Sequence, residues 1–213
     1  FEIKLINAQI FLICLLPLAL IFSIFVADLI VVILFISLFL SCFKNKNFSY
    51  FNNFYFKFFF LYWAYITIIS FFSDNFIESF KSSFTYIRFI ILPLVILHVI
   101  EKNGKFIKYF LYSLLAIFVL LIFDSLYEFI VGKNIFGYGG LEEGRLVSFF
   151  KDEYVLGTFI NKLFFLIASL WFIFFNDKNH KNNLIFIFFY FVCFSIVFLS
   201  GDRMPFLLFL IGS

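Results

Sequence analysis

The sequence has few charged residues, few cysteines and few histidines for its length. Only 14% of its 213 residues are charged, whereas a soluble domain carries about 25%. The 3 cysteines show no C-x-x-C spacing and the 2 histidines lie far apart in the chain, so the patterns of a disulfide framework or a zinc site are missing. The sequence therefore predicts a protein outside the soluble globular class, with no metal site and no cofactor.

Apolar residues fill most of what remains. The chain is 64% hydrophobic and contains 42 phenylalanines, and apolar runs of about 20 residues recur along it, which is the length that crosses a bilayer as a helix. The runs are continuous and do not alternate with polar residues. The sequence therefore predicts an all-α, polytopic transmembrane helical bundle.

Polar breaks divide the chain into seven predicted spans and the start of an eighth. We expect one transmembrane domain over residues 1–213, as the N-terminal part of a longer protein. The block 5–43 is about twice the length of one span, which favours two short spans joined at residues 23–28. The later spans are predicted at 54–72, 83–100, 106–123, 154–175 and 184–199, with the eighth opening at Pro205.

The distribution of charge predicts an orientation for this bundle. With these spans, the side of the N-terminus holds nine lysines and three acids, a net charge of +6. The opposite side holds six basic residues and ten acids, a net charge of −4. Cytoplasmic loops carry the excess of basic residues, so we expect a cytoplasmic N-terminus.

The three arginines of the chain fall on the predicted external side, while every basic residue of the predicted cytoplasmic side is lysine. They are Arg88, Arg145 and Arg203. Arginine presents a planar fork of donors that binds phosphate or carboxylate in two places at once. Their convergence at one leaflet would suit an anionic, phosphorylated substrate. The alternative is that each arginine pairs with a nearby acid.

Two basic residues lie inside predicted spans, where charge is costly. Arg88 is near the external end of the fourth span, and either faces the interior of the bundle or extends to the surface. Lys162 lies deeper in the sixth span. It has two possible partners, Asp124 and Glu128, which are one helical turn apart at the external end of the fifth span.

Residues 124–153, between the fifth and sixth spans, are too apolar for a free loop. We predict an external segment lying in the membrane interface, which presents Arg145 at the level of the lipid head groups. Asp152 and Glu153 precede the sixth span, where a negative charge favours the positive end of the helix dipole.

Two stretches of the sequence resemble a known family. The first consists of Phe136-Gly137, Gly144-Arg145-Leu146, Ser148-Phe149-Phe150, Asp152-Glu153 and Leu156-Gly157-Thr158-Phe159. The second is Leu199-Ser200-Gly201-Asp202-Arg203-Met204-Pro205-Phe206. They resemble, respectively, the external signature segment and the second arginine motif of the O-antigen ligase and O-antigen polymerase superfamily. The order of spans and the short first hairpin are similar as well.

The resemblance implies a metal-independent glycosyltransferase at the periplasmic face of the bacterial inner membrane. The donor would be a glycan on a polyprenyl pyrophosphate, and the acceptor a lipid A core sugar (ligase) or another glycan (polymerase). Membrane lipids would surround the protein, and nucleic acid is not an expected partner. The resemblance assigns the pyrophosphate to Arg145 and Arg203 as catalytic residues. The predicted substrate-binding residues are Arg88, Asp152, Glu153 and Asp202.

The sequence departs from the family by omission. Family members carry a large external loop in their second half, and a histidine or a similar group of that loop acts on the acceptor hydroxyl. No part of this sequence matches that loop. The sequence of 213 residues is therefore predicted to be incomplete for activity. Glu153 is the nearest candidate base within it.

Two rival functions stay open. One is a transporter or flippase for an anionic lipid or solute, with the arginines lining its cavity, and the other is a membrane scaffold without catalysis.

Overall fold

The computed structural model of the protein describes residues 2–46, 48–138, 145–151, 153–175 and 180–212. It is 84% helical, and the described ranges contain no β-strand. The prediction of an all-α helical bundle is confirmed.

The chain forms two compact units, Phe1–Phe106 and Ile107–Ser213. We describe each unit by itself, and the single transmembrane domain stays a prediction. The first unit contains α1 (Glu2–Phe22), α2 (Ile24–Asn45), a 3₁₀ turn (Ser49–Asn52), α3 (Phe54–Ser70), α4 (Phe76–Thr85) and α5 (Arg88–Lys102). The second contains α6 (Phe106–Val131), a 3₁₀ turn (Ser148–Phe150), α7 (Leu156–Phe175), α8 (His180–Leu199) and α9 (Arg203–Gly212).

The predicted hairpin is present at the start of the first unit. α1 and α2 are separated only by Ser23, whose side chain caps α2. The side chain of Gln9 donates a hydrogen bond of 2.9 Å to Ser37 Oγ. Because these two residues are equally far along the chain from Ser23, the helices run antiparallel. Asp28, which was predicted at the turn, lies inside α2.

α7, α8 and α9 pack together in the second unit around a cluster of aromatic side chains. Phe164 of α7 is almost fully buried, and its ring centroid is 4.8 Å from that of Phe209 on α9. The rings of Phe189 and Tyr190 on α8 lie 5.9 and 5.8 Å from it. This core holds the starts of α7 and α9 at the same end of the unit.

Six helical stretches within the described residues are long and apolar enough to cross a membrane. They are Ile3–Phe22, Ile24–Asn45, Phe76–Lys102, Phe106–Val131, Leu156–Phe175 and Lys181–Leu199. The third predicted span is a shorter helix of 17 residues, Phe54–Ser70, which rises about 26 Å and so falls just short of the hydrocarbon core. The helices indicate a multi-pass membrane protein.

Several boundaries in the second unit differ from the sequence prediction, among them the end of α6 and the starts of α7, α8 and α9. α6 continues to Val131, whereas the fifth span was predicted to end at residue 123. The carboxylates of Asp124 and Glu128 interrupt the apolar run, but both are buried and accept hydrogen bonds, so they do not end the helix. The sixth span begins at Leu156, two residues later than predicted. The interfacial segment 124–153 therefore begins with two turns of helix, and its residues 139–144 and 152 lie outside the described residues.

Candidate anion site at the start of α7 and α9

Arg145 and Arg203 line one open cavity of about 680 Å³. The other residues of its wall are Thr158, Gly201, Asp202, Met204 and Pro205. The segment before α7 supplies Arg145, and the turn from α8 to α9 supplies Arg203. The structure thus brings together the two arginines that the sequence predicted as catalytic, and their catalytic role stays a prediction.

Neighbours that hold the Arg145 side chain, among the residues that the structure describes, include Gly201, Asp202 and Tyr154. The Nη2 of Arg145 donates a hydrogen bond of 2.8 Å to the carbonyl oxygen of Gly201 and lies 3.7 Å from Asp202 Oδ1. Its Cζ lies 4.6 Å from the ring centroid of Tyr154, within the range of a cation–π interaction. These contacts orient the guanidinium, while 30% of the side chain stays exposed and can meet a ligand in the cavity.

Arg203 is exposed and is the first residue of α9. Within the part of the chain that the structure describes, it forms no ion pair. A cation is disfavoured at this position, because the N-terminus of a helix carries the positive end of its dipole. Helix stability therefore gives no reason for an arginine here, whereas an anion in the cavity would.

Asp202 is the acid of the cavity, and its carboxylate lies between Arg145 and the start of α7. Oδ2 is buried and accepts no hydrogen bond of good geometry from the described residues. Burial raises the pKa of Asp202, while the Arg145 guanidinium and the N–H of Gly157 act to lower it. One carboxylate against two guanidinium groups leaves the cavity able to accept an anion.

Gly201 lets the turn between α8 and α9 approach Arg145 closely. Its φ of +73° is disfavoured for other residues, and a Cβ built there would lie 2.9 Å from Arg145 Nε. No role could be assigned from the sequence to Gly201, Thr158 or Tyr154, because their positions at the cavity and around Arg145 depend on contacts that a linear pattern does not encode.

We expect the substitution Gly201→Ala to destabilise the protein by about 1–2 kcal/mol, because alanine is strained at this φ, and to displace the Arg145 side chain as well. Gly137→Ala is the matched control, since Gly137 has a φ of +83° with nothing near the added Cβ. Thermal unfolding in detergent measures the strain that both variants share. Reactivity of Arg145 towards an arginine reagent should change only in Gly201→Ala, and an unchanged reactivity there would contradict the contact.

Of the two predicted acids next to α7, Glu153 does not line the cavity. Glu153 is exposed and precedes the helix, which starts at Leu156 with no acid in its first turn. Glu153 therefore lies before the first turn of this helix, and the prediction that it or Asp152 complements the helix dipole stays a prediction. Asp202, which is close to Gly157, brings a negative charge there from a distant part of the sequence. Asp152 lies outside the described residues.

Arg88 belongs to the first unit, where it forms an ion pair with Asp28 of α2. Its Cζ also lies 5.1 Å from the ring centroid of Phe89. Pairing with a nearby acid was the alternative that the sequence left open. The structure contains such an ion pair for Arg88, with Asp28, and also for Arg145, with Asp202 at 3.7 Å. A contribution of Arg88 to substrate binding stays a prediction.

Lys162 does not provide the charge that balances the acids of α6. Its side chain is exposed, whereas Asp124 and Glu128 are buried. Both carboxylates accept hydrogen bonds from the segment that leads to Arg145. The signal in the sequence was the spacing of two acids one helical turn apart in an apolar run, but it does not identify their partners.

No protein-family model, curated protein or solved structure matches this chain. The resemblance to the O-antigen ligase and polymerase superfamily therefore rests on the two short stretches of sequence alone, and the site is interpreted from its own geometry.

Proposed function

We propose that this protein is a membrane glycosyltransferase of the O-antigen ligase or polymerase type. The reaction is transfer of a glycan from a polyprenyl pyrophosphate to a lipid A core sugar or a growing polysaccharide. The proposed location is the periplasmic face of a bacterial inner membrane, with a cytoplasmic N-terminus. The observation that carries the proposal is the shared cavity of Arg145 and Arg203.

The chemistry of the transfer explains why two guanidinium groups would be needed. The acceptor hydroxyl attacks the anomeric carbon of the donor sugar and loses its proton to a general base. The bond from that carbon to the pyrophosphate oxygen breaks, so negative charge builds up on the departing diphosphate. Donors placed beforehand at that charge lower the barrier. Arg145 and Arg203 would supply this charge, in keeping with a metal-independent enzyme.

The position of the cavity also supports a lipid-linked substrate. Leu156 is the first residue of α7 and Leu199 is the last residue of α8, and both helices are long enough to cross a membrane. The cavity residues Thr158 and Gly201 lie within two residues of these helix ends. A pyrophosphate joined to a polyprenyl chain lies at the same level, where the hydrocarbon meets the head groups. Met204, an exposed apolar side chain of α9 that lines the cavity, is compatible with a prenyl chain.

The substitution Arg203→Ala in the full-length protein tests this proposal. Because Arg203 is exposed and not oriented by an ion pair, we expect a loss of transfer of about tenfold, smaller than for a fully preorganised donor. Bacterial membranes are assayed for the glycosylated product and for accumulation of the carrier-linked glycan. Lys162→Ala removes an exposed cation of α7 that does not line the cavity, and its rate should match that of the unaltered protein.

An unchanged product level in Arg203→Ala, at equal protein content, would count against the transferase. The transporter would be favoured if Arg203→Ala stopped a labelled anionic lipid from crossing the bilayer while glycan transfer continued.

A further inference from the structure

Two buried carboxylates lie near the C-terminal end of α6, inside a helix of membrane-spanning length. Asp124 is fully buried and Glu128 is 3% exposed. A buried carboxylate in a membrane span is costly unless donors satisfy it. The donors found here are backbone N–H groups and one hydroxyl, all of them from the residues that follow α6.

Glu128 binds the backbone of the segment that contains Arg145. Its two oxygens each lie 3.2 Å from the amide nitrogen of Val147. Oε2 also accepts a hydrogen bond of 2.6 Å from the N–H of Ser148. Both amides are buried, so Glu128 satisfies donors that water does not reach.

Asp124 binds the same segment one helical turn earlier. Its Oδ2 accepts a hydrogen bond of 2.6 Å from the Ser148 hydroxyl, and its Oδ1 accepts one of 3.0 Å from the N–H of Ile135. Asn134 completes the arrangement by donating from Nδ2 to the carbonyl oxygen of Ser148 at 2.6 Å. Ser148 is therefore bonded through its amide, its hydroxyl and its carbonyl.

The backbone conformation of Ser148 is one that only its surroundings can stabilise. Its φ is +51°, a left-handed conformation that is unfavourable for serine and that persists only where the surroundings fix it. Leu146 and Val147 are also buried, whereas the residue directly before them, Arg145, exposes part of its side chain to the cavity. The segment is thus anchored inside the unit immediately beside the guanidinium.

We propose that Asp124 and Glu128 form a carboxylate clamp that positions Arg145 for its ligand. They are positioning residues, because they hold the backbone on which Arg145 is carried and do not line the cavity themselves. The clamp explains why two acids lie in a part of α6 that has no basic residue between Tyr109 and Val131. The importance of Arg145 for a pyrophosphate rests on the proposed function, and the position of its side chain does not.

Chemical modification of arginine tests the clamp in the full-length protein in lipid nanodiscs. Phenylglyoxal modifies exposed guanidinium groups, and mass spectrometry of the peptides gives a rate for Arg145, Arg203 and Arg88 separately. In Glu128→Ala we expect the rate at Arg145 to rise about tenfold, because two buried amides lose their acceptor. The rates at Arg203 and Arg88 should stay within about twofold, as for sites that the substitution does not touch.

Two further variants separate positioning from general damage. Glu128→Gln keeps one acceptor oxygen and should give an intermediate rate at Arg145, and it serves as the measurement if Glu128→Ala fails to fold. Lys151→Gln removes an exposed charge from the same segment, away from the cavity, and should change none of the three rates. An equal rise at all three arginines in Glu128→Gln, or no rise at Arg145 in either Glu128 variant, would overturn the clamp.

Inorganic pyrophosphate, added as a probe, distinguishes this proposal from the proposed function. In the unaltered protein it should slow the modification of Arg145 and Arg203, and in Glu128→Ala it should protect Arg203 alone. A faster reaction of Arg145 in Glu128→Ala without any protection by pyrophosphate in the unaltered protein would support the clamp and reject the pyrophosphate site. Equal protection of Arg145 in both proteins would reject positioning by the clamp.

Discussion

Replacing Arg145 with lysine is expected to reduce glycan transfer by about 100-fold to 1,000-fold, the range found when one preorganised donor to a developing oxyanion is removed. The planar guanidinium of Arg145 donates a hydrogen bond to the Gly201 carbonyl oxygen and lies over the ring of Tyr154. Part of the side chain stays exposed to the cavity. A lysine ammonium is a single point of charge and cannot reproduce this set of contacts. The measurement is the rate of transfer in membranes with matched protein levels.

The control for this variant is Lys151→Gln, which removes a positive charge from the same segment. Lys151 is exposed and lies over the ring of Tyr138 rather than in the cavity. Its substitution should leave the rate within about twofold. If Arg145→Lys transferred glycan as fast as the unaltered protein, fork-like recognition of the diphosphate would have to be abandoned, and a simple requirement for positive charge would replace it.

The helices could be predicted from the sequence because their signal is local. A membrane span is a run of apolar residues, and the length of the block 5–43, about twice that of one span, was enough to predict the first hairpin. The same reasoning failed at the end of α6. It placed Asp124 at the start of the interfacial segment, whereas the hydrogen-bond partners that keep this carboxylate inside a helix lie at Ile135 and Ser148.

The candidate site was predictable only in part, because its contacts join distant parts of the chain. The distribution of arginines suggested a common site, and Arg145 and Arg203 do share a cavity. The same pattern could not distinguish Arg88, whose partner Asp28 is 60 residues away in the sequence. A negative charge at the start of α7 was assigned to neighbouring acids, and Asp202 also brings one there, from beyond α8.

Replacing Gly157 with alanine is expected to lower the free energy of unfolding by about 1–3 kcal/mol, the usual cost of an extra methyl group in a packed site. A Cβ at this position would lie 2.4 Å from Ser200 Oγ and 2.8 Å from Asp202 Oδ2. Ser200 is buried and its hydroxyl already donates to the carbonyl of Val197 at 2.8 Å. The turn that carries Arg203 must therefore shift, so stability and glycan transfer should fall together.

Two comparisons make the Gly157 prediction specific. Gly104→Ala adds the same methyl group where nothing lies within 4 Å and φ is not positive, so the stability of that variant should stay within about 0.5 kcal/mol. Adding Ser200→Ala to Gly157→Ala removes the atom closest to the new methyl group and should recover part of the loss in thermal unfolding. Full stability of Gly157→Ala alone would mean that α7 and the turn before α9 are not in contact. In that case the contact of Gly157 with Ser200 and Asp202 would not hold the turn against α7, and Arg145 and Arg203 would not be kept at one cavity by it.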